Sequence, residues 1–258
     1  MKYSIEAIEA AAIQASLEAG KKIMEVYARP DFTELVEFKD DRSPLTLADK
    51  KSHEVIASIL SSSFPDIPMI SEEGKDISYN DRKDWECYWL VDPLDGTKEF
   101  IKRNGEFTVN IALMVNKKPV VGIIFIPVQN KLYVGVKDKY AYKIENETKQ
   151  TIQVRTAPFH NRIAVGSRSH SAPEEKAVFE KYGIEEMISS GSSIKFCLVA
   201  DGSADLYYRH GPTMEWDTAA GQAIVEAAGG TMTMPDGTSF PYNKENLLNS
   251  GFLVKGNI

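Results

Sequence analysis

Apolar side chains recur at helical spacing over residues 4–27, where Ile5, Ile8, Ala12, Leu17, Ile23 and Met24 share one face, and this predicts a long amphipathic helix. Gly20 is the one weak residue within it. After a polar loop a second helix is predicted, with Thr46 as N-cap, Asp49 at the third helical position, and Val55, Ile56, Ile59 and Leu60 carrying a buried face as far as Phe64-Pro65. Residues 68–74 then read as a short strand ending in two acids and a glycine. Trp89, Leu90 and Val91 read as a buried strand, which Asp92-Pro93 is expected to stop. Four β-rich runs follow, at 108–115, 120–126, 131–136 and 140–144, with connections short enough for hairpins, so an antiparallel meander is predicted. Its polar positions are expected to face solvent, which makes it a scaffold. Beyond the polar residues 145–150, strand and helix alternate. A strand starts at Arg162, a helix covers 173–182, a strand lies near Met187, a helix spans about 192–200, a strand 205–208, and a helix 217–228 stops at Gly229-Gly230. This change of style predicts two subdomains. Residues 1–150 hold the helices, the antiparallel sheet and most candidate ligands; residues 151–258 form an α/β unit that completes the site.

Composition narrows the partners. A 258-residue chain with 43% hydrophobic and 26% charged residues is an ordinary globular protein, long enough for one large core or two tightly joined ones. Its net charge of −7, with no dense Lys/Arg run, argues against nucleic acid as a partner. Phosphates still bind an acidic protein when a metal inverts the local field. No run of about 18 apolar residues occurs, so no transmembrane segment is expected. The expected setting is the cytoplasm, with which peripheral association at the inner membrane is compatible, and the expected state is a monomer or homodimer. Cys87 and Cys197 sit in apolar surroundings and read as buried thiols, and the four histidines show no zinc-ligand spacing with them.

The chemistry concentrates in residues 89–100. Asp92 and Asp95 lie three apart across a turn containing Pro93 and followed by Gly96, which can aim both carboxylates and the Leu94 carbonyl at one point. Two such carboxylates repel unless a cation sits between them, and an all-oxygen cage suits Mg²⁺. Gly96 and Thr97 stand where a helix start would offer free N–H groups to an anion such as phosphate. Read alone, however, Asp95-Gly96 is equally a simple turn. Glu72 alone is a solvated turn residue, Asp49 a helix cap and Asp217 an N-cap.

In this order, Glu72-Glu73, the run Asp-Pro-Leu-Asp-Gly-Thr at 92–97 and Trp-Asp-Thr-Ala-Ala-Gly at 216–221 resemble the metal-binding elements of the magnesium-dependent, lithium-sensitive phosphomonoesterases. That superfamily includes inositol monophosphatase and fructose-1,6-bisphosphatase, and the resemblance covers essentially the whole chain. It implies a layered αβαβα sandwich of the α+β or α/β kind. It further implies that Glu72, Asp92 and the Leu94 carbonyl hold one Mg²⁺, that Asp92, Asp95 and Asp217 hold a second, and that Asp49 and Thr97 orient or deprotonate the attacking water. Phosphate oxygens would meet the backbone of Gly96 and Thr97. Residues 94–101 and 191–217 are most similar to the 3'(2'),5'-bisphosphate nucleotidases. This narrower likeness implies a small phosphorylated nucleotide as substrate, with His170, Ser192, Lys195 and Arg209 lining its pocket and the last two gripping the phosphate that is not cleaved. Without it, Lys195 and Arg209 read as exposed charges and His170 as a surface loop residue. An inositol monophosphatase-like enzyme acting on a polyol phosphate, and a catalytically silent phosphate-binding module, are the competing readings.

Overall fold

The computed structural model describes residues 2–30, 36–38, 44–167 and 174–258. The first helix, α1 (Ile5–Tyr27), starts at Ser4, whose side chain caps the Ala7 N–H. The short strands β1 (Val36–Phe38) and β2 (Pro44–Thr46) lead into α2 (Leu47–Ser63), for which Thr46 is the N-cap, as its sequence predicts. Next come β3 (Met69–Ser71), α3 (Tyr79–Arg82), β4 (Cys87–Asp95) and α4 (Thr97–Ile101). The meander is β5 (Thr108–Val115), β6 (Lys118–Ile126), β7 (Lys131–Val136), β8 (Tyr140–Glu145) and β9 (Thr148–Thr151). Then follow β10 (Arg162–Ser167), α5 (Glu174–Tyr182), β11 (Ile184–Ser190), α6 (Ile194–Ala200) and β12 (Leu206–Arg209). The chain closes with β13 (Thr213–Met214), α7 (Glu215–Ala227), β14 (Thr231–Thr233), β15 (Leu248–Asn249) and β16 (Phe252–Lys255).

Strands β3 to β9 form one seven-stranded sheet in sequence order, with only the β3–β4 pair parallel. A second sheet has the order β11-β10-β12-β16-β14. Side-chain alternation sorts the layers. On β5, Val109, Ile111 and Leu113 join the buried cluster of α1 and α2, whereas Ala112 and Met114 join the cluster of α6 and α7 on the opposite face. On the second sheet, Val165, Tyr207 and Phe252 face that same inner cluster, while Ala164, Leu206 and Leu253 pack against Val178 and Phe179 of α5. The order is therefore helices, sheet, helices, sheet, helix: the αβαβα sandwich. Burial on both faces explains why the strands read as continuous apolar runs. Residues before and after position 150 share one cluster, in which Tyr88 and Ile124 lie with Phe196 and Val254.

Helix α7 lies unusually close to the first sheet. A Cβ on Gly122 would stand 2.3 Å from the Ala220 carbonyl, and one on Gly135 would stand 2.4 Å from Ile224 Cα. Two expectations need correction. β4 does not stop at Asp92-Pro93 but runs to Asp95, with a register shift between Asp92 and Asp95 that accommodates the proline. Helix α7 begins at Glu215, so Asp217 is its third residue and Met214 its N-cap. The polar stretch after β8 contains β9, an exposed edge strand with no apolar signature. Among the described residues no helix is long and apolar enough to cross a membrane.

Candidate active site

The parallel pairing of β3 and β4 sets Ser71 beside Val91, and the Glu72 N–H donates to the Val91 carbonyl at 3.2 Å. The two acidic strand ends thus meet, as their repeated pattern predicts. At the irregular end of β4 the Leu94 N–H donates to Asp92 Oδ1 at 3.0 Å, which folds the turn back over that carboxylate. Across the cleft, Asp217 Oδ2 accepts from the Met214 N–H at 2.8 Å, a helix-start contact that orients the acid. One carboxylate oxygen from each of Glu72, Asp92 and Asp217 lies within 4.8 Å of the others, the only such group among the described residues. Asp95 stands beside this trio, its Oδ2 accepting from the Ser193 hydroxyl at 2.7 Å.

Burial pushes Asp92 and Asp217 well above the ordinary carboxylate range, and the neighbouring acids push them further: Glu72, Asp95 and Asp217 around Asp92, and Asp95 and Glu72 around Asp217. Burial also raises Asp95, against which the Ser193 hydroxyl and the Lys195 charge work. So much negative charge crowded together from oxygen donors alone is the donor set of a hard divalent cation, and such a cation would reverse the cause of the shifts. The residues present fit Mg²⁺.

Asp49 combines two roles. Its Oδ2 accepts from the Thr46 N–H at 2.8 Å and the Thr46 hydroxyl at 2.5 Å, which is the capping reading. Its Oδ1 accepts from the Thr97 hydroxyl at 3.3 Å, so one carboxylate ties the start of α2 to the phosphate-site candidate. Burial lifts Asp49 to about 7. Gly96 adopts φ +90°, and a Cβ there would press on both the Glu106 carbonyl and Ser192 Cβ at 3.0 Å, so this turn needs glycine.

The first turn of α6 and the end of β12 bring cationic side chains to the same cleft, beside the loop between β11 and α6. Ser192 has φ +42°, and the Gly191 N–H donates to Glu106 Oε2 at 2.9 Å. Lys195 is only 4% exposed, so it is not the solvated charge it suggests when read alone. Its Nζ donates to the carbonyls of Ser192 at 2.6 Å and Ser190 at 3.3 Å, and stands 5.3 Å from the Tyr207 ring centre. Burial lowers it to about 8, while Asp95 pulls the other way. Arg209, on β12, donates from Nη1 to the Ser167 hydroxyl at 3.3 Å. Glu72, Asp92, Asp95, Asp217, Lys195 and Arg209 all line one cleft of about 270 Å³, together with Leu94, Gly96, Thr97 and Ser192.

The model of the inositol monophosphatase family matches residues 4–256. The chain belongs to this family. It is 47% identical over 242 residues to the 3'(2'),5'-bisphosphate nucleotidase CysQ of Escherichia coli strain K12, covering 93% of this chain and 96% of that one. The enzyme of the same name from Haemophilus influenzae is 33% identical over 242 residues, with 93% and 89% covered. Among solved structures, CysQ from Bacteroides thetaiotaomicron superposes with a TM-score of 0.87 at 45% identity, over 98% of both chains. The inositol monophosphatase from Anabaena (Nostoc) sp. PCC 7120 superposes with a TM-score of 0.77 at 26% identity, over 98% of this chain and 92% of that one.

In this inositol monophosphatase family member the structure gathers Asp49, Glu72, Asp92, Leu94, Asp95, Gly96, Thr97, Ser192, Lys195, Arg209 and Asp217 around one place. His170 lies outside the described residues. Sequence reasoning missed Ser193, Glu106 and the polar residues of β5. Thr108 and Asn110 do not face solvent; they are 0% and 1% exposed and lie behind the site, Asn110 against Asp95 and Thr108 against Ser192. The available signal was a lone amide inside an apolar strand covered on both faces. Glu106 had no local signal.

Proposed function

We propose that this chain is a Mg²⁺-dependent phosphomonoesterase that hydrolyses the 3'-phosphate of adenosine 3',5'-bisphosphate to give AMP and phosphate. One observation carries the reading: a single cleft sets a carboxylate trio, Glu72, Asp92 and Asp217, around the buried Asp92, against a buried ammonium, Lys195, and the Arg209 guanidinium. The acidic half suits metal ions and the cationic half suits a second phosphate. Glu72, Asp92 and the Leu94 carbonyl would hold one ion and Asp92, Asp95 and Asp217 the other, with Asp92 shared. When bound, Mg²⁺ supplies charge neutralisation at the phosphate and lowers the pKa of water. The protein supplies the geometry. Thr97, held by Asp49, orients the attacking water and passes its proton to the Asp49 carboxylate. Water adds to phosphorus, the bond to the ribose O3' breaks, and that oxygen takes up a proton. The N–H groups of Gly96 and Thr97 receive phosphate oxygens, and Ser192, Lys195 and Arg209 hold the phosphate that stays, with His170 assigned to the nucleotide. The nucleotidase names of the relatives support the substrate assignment. The proposed setting is cytoplasmic, as a monomer or homodimer, with neither nucleic acid nor membrane required.

The test separates the two halves of the cleft. Each charge-assisted contact to the retained phosphate is worth about 1.5 to 3 kcal/mol, or roughly tenfold to a hundredfold. In Lys195→Met and Arg209→Met, kcat/KM for the bisphosphate is expected to fall by that factor, mainly through KM, whereas inositol 1-phosphate hydrolysis changes little. Equal loss on both substrates would contradict the assignment of these two residues.

A further inference from the structure

Behind the carboxylates lies a directed chain of buried polar groups. Ser192 donates from its hydroxyl to Thr108 Oγ1 at 3.3 Å, and the Thr108 hydroxyl donates to Asn110 Oδ1 at 2.9 Å. Asn110 Nδ2 donates to Ser193 Oγ at 2.9 Å and reaches Asp95 Oδ2 at 3.4 Å. The Ser193 hydroxyl then donates to Asp95 Oδ2 at 2.7 Å, in preference to the Asp217 carbonyl at 3.0 Å because the carboxylate carries the charge. Thr108, Asn110 and Ser193 are no more than 2% exposed, so each unmade bond would leave a costly buried dipole. The direction is set by its end. Turning the Asn110 amide over would face its oxygen to Asp95 and its NH₂ to the Thr108 hydroxyl, breaking the alignment, whereas in the order found every donor points toward the negative charge and each bond polarises the next.

We propose that Asn110 is a positioning residue for Asp95. Through Ser193 it ties one carboxylate oxygen, leaving the other for a divalent cation. Through Thr108 it ties the same carboxylate to Ser192, in the loop whose carbonyls hold the Lys195 ammonium. The side chains of β5 thereby set the spacing between metal and retained phosphate. This rests on Asp95 being a metal ligand, as proposed above. Groups that orient a metal ligand typically change metal affinity by about 10- to 100-fold when lost.

The test uses the full-length protein, freed of metal with chelator and titrated with Mn²⁺ alone, with the free ion followed by its paramagnetic resonance signal and no substrate present. Asp95→Asn serves as the reference and is expected to weaken Mn²⁺ binding the most. Asn110→Ala is expected to weaken it by about 10- to 100-fold. Thr108→Val, which keeps the shape and loses the hydroxyl, is expected to weaken binding by several fold, and Thr108→Ser, which keeps the hydroxyl, to restore it. The unfolding temperature of each metal-free variant is measured in parallel, because a purely structural role lowers that temperature and leaves affinity unchanged well below it. If Asn110→Ala and Thr108→Val bind Mn²⁺ like wild type while Asp95→Asn does not, the positioning role is overturned and the metal site stands. Wild-type binding by Asp95→Asn would remove both. Should Asn110→Ala fail to fold, the Thr108→Val and Thr108→Ser pair decides: equal affinities overturn the proposal.

Discussion

A lysine ammonium with 4% of its surface exposed is held by two carbonyls and by the field of nearby acids rather than by water. Burial destabilises the charged form, and Lys195 therefore loses its proton near pH 8 instead of in the ordinary lysine range. If Lys195 holds the retained phosphate as proposed, the consequence falls on the substrate with two phosphates. Because kcat/KM reports the free enzyme, its value for adenosine 3',5'-bisphosphate is expected to decline above a pH of about 8. The profile for inositol 1-phosphate should lack that limb. Lys195→Arg, charged at all these pH values, should remove the decline. Two profiles that fall together, or a limb that survives in the arginine variant, would show that Lys195 does not read the second phosphate. Asp49 makes a related point: one oxygen satisfies the start of α2 and the other holds Thr97, so the capping contact leaves an oxygen for the proposed catalytic role.

Helix starts place two of the candidate acids. Asp49 is the third residue of α2 and Asp217 the third of α7, and each has one carboxylate oxygen bound to the backbone N–H of its N-cap. Helix α7 can bring Asp217 to the site only by lying against glycines of β6 and β7. Gly122→Ala would drive a methyl group into the α7 backbone, a kind of overpacking that costs about 1 to 3 kcal/mol. Chelator-treated Gly122→Ala is expected to melt earlier than wild type and to bind Mn²⁺ more weakly, and unchanged melting would refute the close approach. Much of this was legible in the sequence because it is local. The capping of α2, the acids ending β3 and β4, and the meander hairpins each follow from neighbouring residues. The irregular end of β4 was not, since a register shift depends on pairing with β5. Nor was the inward direction of Asn110: alternation tells which residues share a face, while only the packing of α7 tells that this face is buried. The edge strand β9 has no buried residue to announce it.

At the scale of the molecule, a chain of net charge −7 is suited to an anionic substrate only where its own charges are arranged against that average. The αβαβα layering does this by closing the first sheet's acidic strand ends, the start of α7 and the loop before α6 over one cleft. The cleft sets the carboxylates against the buried Lys195 and Arg209, and the proposal of a bisphosphate over a polyol phosphate rests on that pairing. The most direct measurement is the initial rate of phosphate release from adenosine 3',5'-bisphosphate and from inositol 1-phosphate, each with saturating Mg²⁺ and with excess chelator. A preference in kcat/KM of at least about tenfold for the bisphosphate, or roughly 1.4 kcal/mol, is expected, with activity abolished by the chelator and restored by Mg²⁺. Equal or faster hydrolysis of inositol 1-phosphate, or turnover that survives chelation, would contradict it.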